Sequence, residues 1–239
     1  MNTKRINKGN VKLVAHRGLS GIETENTCAA FIAAGNRDYF GIETDARITA
    51  DGKFILMHDD TTTRVSGVEL KVETCNFAAL RSIALKEKNG QPRGDLRIAS
   101  LEEYLRLCAR YEKVCVLELK GLYSCEKLTE MAAMIREIYA MEQIVFISFS
   151  YETLVNLRSV EPEAKIQFLT GKEVNDELIA GLKAYNFDLD ISHKQLTKEN
   201  IALLHENGIE VNCYTVDDPA RAEELVSWGI DYITTNILQ

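Results

Sequence analysis

The stretch KVCVLELKGLYSCEKLTEMAAMIREIYAMEQIVFISFS, residues 113–150, holds one complete strand–helix–strand unit. Residues 113–120 and 143–150 are apolar runs of strand length, whereas residues 126–140 carry apolar side chains at helical spacing. A helix between two such strands returns the chain to the same end of the sheet, so the strands are predicted to be parallel. The unit is typical of an α/β protein.

The same alternation continues on both sides of this unit. Six further strands are predicted at residues 11–16, 41–48, 165–170, 187–192, 209–216 and 231–236. Eight strands, each followed by a helix except the last, predict a (β/α)8 TIM barrel. An open doubly wound sheet is the alternative, but no Gly-x-Gly-x-x-Gly phosphate loop follows any of these strands.

Two segments depart from the repeating pattern. Residues 53–98 are too long for a plain connection and contain polar, glycine-bearing sequence, which predicts a small inserted lobe after the second strand. Three residues follow the eighth strand, so the eighth helix is expected to be absent, and the basic N-terminal segment is expected to cover part of that gap. Residues 1–239 are predicted to form a single barrel domain.

The composition narrows the class of function. With 46% hydrophobic and 27% charged residues the chain has an ordinary globular composition, and its net charge of −8 argues against nucleic acid as a partner. It has no run of 18 apolar residues and no secretory signal, so membrane insertion is not expected. Six cysteines without Cys-x-x-Cys spacing are expected to be buried free thiols of a cytoplasmic protein.

Acidic side chains occur where predicted strands end, which in a TIM barrel is the catalytic face. Glu43 and Asp45 lie two residues apart and therefore share one face of the second strand, and Glu118 occupies the end of the next barrel strand. These three carboxylates are expected to converge on one cation. Mg²⁺ or Ca²⁺ suits a set of carboxylate oxygens better than Zn²⁺ does.

Two histidines accompany these carboxylates. His16 ends the first predicted strand and His58 ends the apolar run at residues 53–58, so both are candidates for proton transfer near neutral pH. The competing interpretation is a structural histidine beside a solvated Glu-x-Asp face. Apolar neighbours of the acidic pair argue against solvation, and an inward pair without a cation would suffer repulsion and desolvation.

A series of short motifs, taken together, resembles the glycerophosphodiester phosphodiesterase family. The motifs are His16-Arg17-Gly18, Glu25-Asn26-Thr27, Gly41-Ile42-Glu43-Thr44-Asp45, Asp51-Gly52, His58-Asp59, Glu118-Leu119-Lys120, Tyr214-Thr215-Val216 and Gly229-Ile230-Asp231. Each motif alone is weak, but their order and spacing match the family over nearly the whole chain.

The resemblance implies a distorted TIM barrel with a small inserted domain and a reaction that releases sn-glycerol 3-phosphate and an alcohol. It implies that Glu43, Asp45 and Glu118 hold the divalent cation and that His16 and His58 act as general acid and base. It further implies that Arg17 and Lys120 contact the phosphate, roles that also suit a guanidinium fork and an ammonium. Water and the substrate's own glycerol hydroxyl remain alternative nucleophiles.

The sequence departs from the family pattern at three positions. Thr24 replaces the usual proline of the first loop, and Tyr214 replaces the usual tryptophan of the seventh strand, where it is expected to pack on the glycerol. Asn236 replaces the usual aspartate after the eighth strand. His205 is expected to lie outside the site, and His193 is an alternative rim residue of the pocket.

Two other functions compete with hydrolysis of a small glycerophosphodiester. One is a related barrel phospholipase acting on lysophospholipid or phosphoinositide head groups, which would need an apolar rim that the polar segment 53–98 does not suggest. The other is a non-catalytic barrel that binds phosphorylated ligands, which would be expected to lack one of the histidines or carboxylates. The partners expected are a small-molecule substrate and, as a possibility, further copies of this chain in a homo-oligomer.

Overall fold

A computed structural model describes residues 2–239 and contains eleven strands and nine helices within them. The strands are β1 (Lys12–Ala15), β2 (Gly41–Ile48), β3 (Phe54–Leu56), β4 (Leu85–Lys86), β5 (Pro92–Arg93), β6 (Val114–Leu119), β7 (Ile144–Ser148), β8 (Lys165–Thr170), β9 (Asp188–Ser192), β10 (Val211–Tyr214) and β11 (Tyr232–Thr235). The helices are α1 (Cys28–Gly35), α2 (Thr63–Ser66), α3 (Phe77–Ser82), α4 (Leu101–Arg110), α5 (Cys125–Ile138), α6 (Tyr151–Val160), α7 (Asp176–Ala184), α8 (Lys198–Glu206) and α9 (Pro219–Ser227).

Eight of the strands close into a parallel barrel. The order around it is β1, β2, β6, β7, β8, β9, β10 and β11, and β11 pairs back onto β1. Each of the eight lies within a segment that the sequence predicted as a strand. The predicted TIM barrel is therefore confirmed, and the alternative of an open sheet is wrong because the first and last strands pair with each other.

Successive side chains of each barrel strand point alternately outward, to the helices, and inward, to the barrel interior. Outward side chains such as Leu13 and Ile42 are fully buried against the helices, in one large hydrophobic core. Inward side chains fill the barrel, and its deeper layers are apolar, with Val14, Val116 and Tyr232 in one cluster. The charged inward residues lie nearer the carboxyl ends of the strands, so the interior changes from apolar to polar towards the catalytic face.

The segment between β2 and α4 forms structure beyond the barrel. The short strand β3 pairs antiparallel with the upper part of β2, and its Ile55 faces away from the main core. Ile55 joins Val72, Leu80 and Leu96 in a separate hydrophobic cluster that also includes Val65 of α2. Phe54 and Leu56, on the other face of β3, pack in the main core, so this strand joins the two clusters.

The N-terminal segment lies where an eighth barrel helix would be. Within residues 2–239 no helix follows β11. Instead the amide nitrogens of Lys4 and Ile6 donate hydrogen bonds to the carbonyls of Ile237 and Gln239, at 3.0 and 2.9 Å. Ile6 also packs against the main core. The N-terminal segment therefore pairs with the residues that follow β11, in agreement with the expectation that it covers part of that gap.

All six cysteines are free thiols, as expected. Burial is confirmed for Cys108, Cys115 and Cys213 but is wrong for Cys125, which is exposed because it occupies the first position of α5. Cys28 and Cys75 are half-buried. Across residues 2–239, no helix combines the length and apolar character needed to cross a bilayer.

Candidate active site

Three carboxylates meet at the carboxyl ends of β2 and β6. The pairing register places Asp45 beside Glu118, and Glu43 lies on the same face of β2 as Asp45. One carboxylate oxygen from each residue lies within 4.8 Å of the others, and all three side chains are buried. The structure thus brings together the three residues that the sequence predicted as cation ligands.

Hydrogen bonds position Glu43 and Asp45 through one carboxylate oxygen each. The backbone N–H of Arg17 donates to Glu43 Oε2 at 2.7 Å, and Asn26 Nδ2 donates to Asp45 Oδ2 at 2.8 Å. Glu43 Oε1 accepts none from the part of the chain that is described, and Asp45 Oδ1 and Glu118 Oε1 face only the ammonium of Lys120. Buried carboxylate oxygens gathered at one point fit a hard cation, which is bound by oxygen ligands.

Two cations of the chain border this carboxylate cluster. Lys120 Nζ lies 2.7 Å from Glu118 Oε1 and 3.1 Å from Asp45 Oδ1, at ion-pair distance. Arg17 Nε lies 3.5 Å from Asp45 Oδ2. Three buried carboxylates therefore face two side-chain cations, and a bound divalent cation would offset the remaining negative charge.

The pKa values of the three carboxyl groups diverge. Burial, reinforced by the charge of Asp45, raises the pKa of Glu43 well above its usual range and that of Glu118 to about 7. Burial also disfavours ionisation of Asp45, but Lys120 and then Arg17 hold its pKa below the usual range. Without a cation, one carboxylate of the cluster is thus charged and the other two resist ionisation.

His16 is the first residue beyond β1, and its tautomer follows from its neighbours. Asn236 Nδ2 donates to Asp217 Oδ2 at 2.6 Å, which fixes the orientation of that amide because a carboxylate accepts only. Asn236 Oδ1 then lies 2.8 Å from His16 Nδ1, so this ring nitrogen donates. Burial lowers the pKa of His16 to about 4, so at neutral pH its Nε2 carries a free lone pair, 3.9 Å from Glu43 Oε2.

His58 reaches the same cavity from the loop after β3. Arg47, on β2, donates to the carbonyls of Met57 and His58 at 3.0 and 2.7 Å and so fixes the backbone that carries the imidazole. His58 Nδ1 lies 2.7 Å from Asp59 Oδ1, whose pKa is lowered to about 2, chiefly by a hydrogen bond from Arg64. Because an ionised carboxylate only accepts, Nδ1 of His58 donates and Nε2 is left to exchange a proton.

Glu25 connects the two histidine-bearing loops. Its carboxylate accepts from Arg17 Nη1 at 2.9 Å and from Arg64 Nη1 and Nη2 at 2.6 and 2.8 Å. Arg64 also donates to Asp59, the partner of His58, at 2.6 Å.

Arg17 and Gly18 adopt positive φ angles of 53° and 75°, and a Cβ at Gly18 would lie 2.7 Å from Ala30. The glycine of the first motif is therefore a steric requirement of this loop.

The far wall of the barrel mouth is mostly apolar. A cavity of about 280 Å³ lies between the two histidines and this wall. The wall consists of Ile147, Phe149, Leu169 and Tyr214, from β7, β8, β10 and the loop after β7. Phe149 and Tyr214 meet edge to face with ring centroids 6.0 Å apart. The structure thus brings Tyr214, a sequence candidate, and Phe149 into the same cavity as the histidines.

Asp190 is a residue of this cavity that the sequence analysis missed. It lies on β9 and is 1% exposed; its Oδ2 accepts a hydrogen bond from Asn212 at 3.2 Å, whereas its Oδ1 accepts none from the described residues. Burial raises the pKa of Asp190 well above its usual range. The alternation in FDLDIS places Asp188 and Asp190 on the inner face of the barrel, which is the signal that could have identified it.

The remaining histidines lie elsewhere. His205 is in the last turn of α8, where its Nε2 lies 2.8 Å from Asp231 Oδ2, so the prediction that it stands apart is confirmed. His193 follows β9 but is not among the residues that line the cavity at the barrel mouth. The alternative that it forms the rim is therefore not supported.

A TIM barrel with buried carboxylates and two imidazoles at the carboxyl ends of its strands has its reactive groups where enzymes of this fold carry their active sites. The family model described as "Glycerophosphoryl diester phosphodiesterase family" matches residues 16–238. The chain therefore belongs to this family, and it is a phosphodiester hydrolase.

Individual relatives agree with this assignment. A glycerophosphodiester phosphodiesterase of Bacillus subtilis is 26% identical over 245 residues, covering 93% of this chain and 82% of the relative. One from Caldanaerobacter subterraneus is 26% identical over 226 residues, covering 94% of this chain and 93% of the relative. A similar solved structure is that of an Oleispira antarctica phosphodiesterase in complex with the product sn-glycerol-3-phosphate. The two folds superimpose with a TM-score of 0.87 at 21% sequence identity, over 98% of this chain and 96% of that chain. The similarity shows that the fold is shared.

Proposed function

We propose that this protein is a cytoplasmic, metal-dependent glycerophosphodiester phosphodiesterase that releases sn-glycerol 3-phosphate and an alcohol. The observation that carries the proposal is the meeting of three buried carboxylates, with oxygens within 4.8 Å of one another, and two imidazoles whose Nε2 atoms are left for proton exchange. The proposal treats residues 1–239 as one catalytic domain with an inserted lobe at about 53–98. Its substrate is a small diffusible diester rather than nucleic acid.

Glu43, Asp45 and Glu118 would hold the Mg²⁺ or Ca²⁺ ion. When bound, such an ion supplies charge neutralisation at the phosphoryl oxygens. Arg17 and Lys120 border the same cavity and present a planar donor fork and an ammonium to the phosphate. Because both side chains are also ion-paired to the carboxylates, their donors are positioned before the substrate arrives.

His16 and His58 would divide the proton transfers between them. Each ring donates through Nδ1 to a fixed acceptor, the first to Asn236 and the second to Asp59, which leaves each Nε2 to exchange protons at the phosphate. One imidazole accepts the proton of the attacking hydroxyl or water, and the other returns a proton to the leaving alkoxide. Detection of a cyclic glycerol phosphate by ³¹P NMR during turnover would identify the glycerol hydroxyl as nucleophile, whereas water attack forms none.

The glycerol would lie in the cavity at the barrel mouth. The rings of Tyr214 and Phe149 offer an apolar wall for its carbon atoms, and Asp190 Oδ1 offers a buried hydrogen-bonding group for a hydroxyl. An unpaired buried carboxyl next to an apolar wall favours a ligand that is apolar along one side and hydroxylated on another, as glycerol is.

The test is an assay with defined cations. The purified protein is freed of metal with EDTA, then incubated with glycerophosphoethanolamine or glycerophosphoglycerol and Mg²⁺, Ca²⁺ or no cation, and glycerol 3-phosphate is measured. We expect release with at least one cation and none in EDTA. No release with any cation would overturn the proposal, and equal release in EDTA would overturn its metal dependence.

Two exposed apolar side chains favour a second candidate. Leu122 and Phe149 follow β6 and β7 on the catalytic face and are 68% and 53% exposed. Such a rim suits the acyl chain of a lysophospholipid. Lysophosphatidylethanolamine is therefore compared with glycerophosphoethanolamine by the release of ethanolamine, which both substrates yield, and faster release from the lysophospholipid would favour a lysophospholipase.

A further inference from the structure

A second cavity, of about 700 Å³, opens beside the one at the barrel mouth, and we call it the side cavity. The two cavities share His16 and Arg17 as lining residues. The side cavity is further bounded by the N-terminal segment, the first loop, the inserted lobe and the end of β11. These contribute Lys4, Ser20, Lys88 and Asn236, among others.

A phosphodiester carries two arms on one phosphorus atom. Arg17 and His16 stand where the two cavities meet, so a phosphate held there would direct one arm into each cavity. The smaller cavity, with its aromatic wall and Asp190, suits the glycerol arm. The side cavity is then the space for the alcohol that leaves, the head group of the substrate.

The carboxylates of the side cavity are already occupied by donors. Asp217 accepts hydrogen bonds from Thr235 Oγ1 and from both the backbone and the side-chain nitrogen of Asn236, at 2.6–2.9 Å. Glu25 is paired with Arg17 and Arg64. Neither carboxylate is left free for a cationic head group.

The lysines of the side cavity, by contrast, are not ion-paired. Lys4 Nζ donates to the carbonyl of Asp217 at 3.3 Å, and Lys88 Nζ donates to the carbonyl of Ser20 at 2.7 Å. Neither ammonium forms a salt bridge within residues 2–239. Ser20 and Asp217 both hydrogen-bond to Asn236, so the two ammonium groups flank the residue that positions His16.

We infer that the side cavity binds the leaving head group and selects one that carries a second anionic group, such as a phosphate or carboxylate. An ammonium without a carboxylate partner attracts an anion, and Lys4 and Lys88 supply two. Recognition of choline relies on the faces of Trp, Tyr or Phe rings, and none of these lines the side cavity within residues 2–239. The inference rests on the proposed function, because it assigns the head group of that reaction.

The test compares substrates that differ in one charge. Glycerophosphoglycerol, the same diester with a terminal phosphate on its second glycerol, and glycerophosphocholine are assayed for kcat/KM at fixed salt and cation. We expect the phosphorylated diester to exceed glycerophosphoglycerol by about ten-fold, since two exposed charges contribute modestly. Glycerophosphocholine is expected to be the poorest of the three.

The variant K4Q/K88Q should abolish the preference. We expect its kcat/KM for the phosphorylated diester to fall by about ten-fold and its kcat/KM for glycerophosphoglycerol to stay within about two-fold. Both lysines are exposed, so their replacement should leave the fold intact, which a thermal melt checks. The matched control K165Q/K198Q removes two exposed lysines on other faces of the barrel and should retain the preference.

The outcomes separate the two levels of the proposal. If none of the diesters is hydrolysed, the proposed function fails and this inference fails with it. If the diesters are hydrolysed but the phosphorylated one is not preferred, or if the control loses the preference as fully as K4Q/K88Q does, the head-group assignment alone is overturned. Preference for glycerophosphocholine would contradict it directly.

Discussion

The two halves of the barrel mouth differ in how their side chains are fixed. The half formed by β1, β2 and β6 carries the carboxylates and cations, and its polar groups are positioned by hydrogen bonds and ion pairs. The half formed by β7, β8 and β10 carries Ile147, Leu169 and Tyr214, which are held by packing. Asp190, on β9, is the one carboxylate lining the cavity wall on this half among residues 2–239.

The charged half is suited to the chemical step, and the apolar half is suited to binding the substrate. Charged groups that move protons or hold a cation need fixed geometry, which directional hydrogen bonds provide. A wall that contacts carbon atoms needs shape, which packing provides. Substitutions on the charged half should therefore lower kcat, whereas substitutions on the apolar half should chiefly raise KM.

The largest effect is expected for the histidines. His58→Ala or His16→Ala removes a group that exchanges a proton with the reacting oxygens, so kcat should fall by about 10²–10⁴-fold. Steady-state kinetics with glycerophosphoglycerol provides the measurement. His205→Ala, on the outside of α8, is the control and should retain activity. Full activity of His58→Ala would contradict its assignment as acid or base.

The second effect concerns stability and its pH dependence without a cation. The pKa of Glu118 is about 7 in the folded protein and near 4.5 when unfolded, so the unfolded chain releases this proton first. The folded state therefore loses stability as pH rises from 4.5 to 7, and the penalty is fully present above pH 7. With both proteins in EDTA, we compare the free energy of unfolding of Glu118→Gln with that of the wild type. The difference should shift in favour of the variant by roughly 3 kcal/mol between pH 4.5 and pH 8.

Urea unfolding at the two pH values measures this difference. Added Mg²⁺ or Ca²⁺ should stabilise the wild type at pH 8 and have a smaller effect on Glu118→Gln, because the variant lacks one ligand. If the free energies of unfolding of the two proteins changed in parallel with pH, the pKa of Glu118 would not be raised by folding, and this prediction would be contradicted.

A smaller effect is expected from the carboxyl group on the apolar half. Asp190→Ala removes the group proposed to bind a glycerol hydroxyl, so KM should rise by about ten-fold with kcat little changed. Asp188→Asn, at the first position of the same strand, serves as the control. A fall in kcat without a change in KM would place Asp190 among the chemical groups instead.

The smallest effect is expected at the aromatic wall. Tyr214→Leu keeps an apolar side chain but removes the ring, and KM should rise by about three-fold. Tyr214→Phe keeps the ring and loses the hydrogen bond to the carbonyl of Thr170, so its KM should stay near the wild-type value. Equal KM values for the two variants would show that the ring face does not contact the substrate.

Much of the barrel could be predicted because strands and helices alternate with clear periods. The eight barrel strands were located from apolar runs, and the convergence of Glu43, Asp45 and Glu118 followed from the period of two and from the shared strand ends. The roles of these residues, together with those of Arg17, Lys120 and Tyr214, stay predictions. The prediction that Cys125 is buried was wrong, because this residue occupies the exposed first position of α5.

Other features depend on residues that are far apart in the sequence. The tautomer of His16 is set by Asn236 and Asp217, about 200 positions later, since the barrel closes by pairing β11 with β1. The side cavity joins Lys4, Lys88 and Asn236 in the same way. No local pattern places these residues beside one another, because they come from distant segments that meet only in the folded protein.

Local periodicity in the sequence is enough to predict the number of barrel strands, the inward face of each of them and the charged groups at their ends. The tertiary structure decided which oxygens lack donors, which nitrogen of each imidazole is free and where a second cavity opens. Those properties depend on distances of a few ångströms between segments that only the closed barrel brings together.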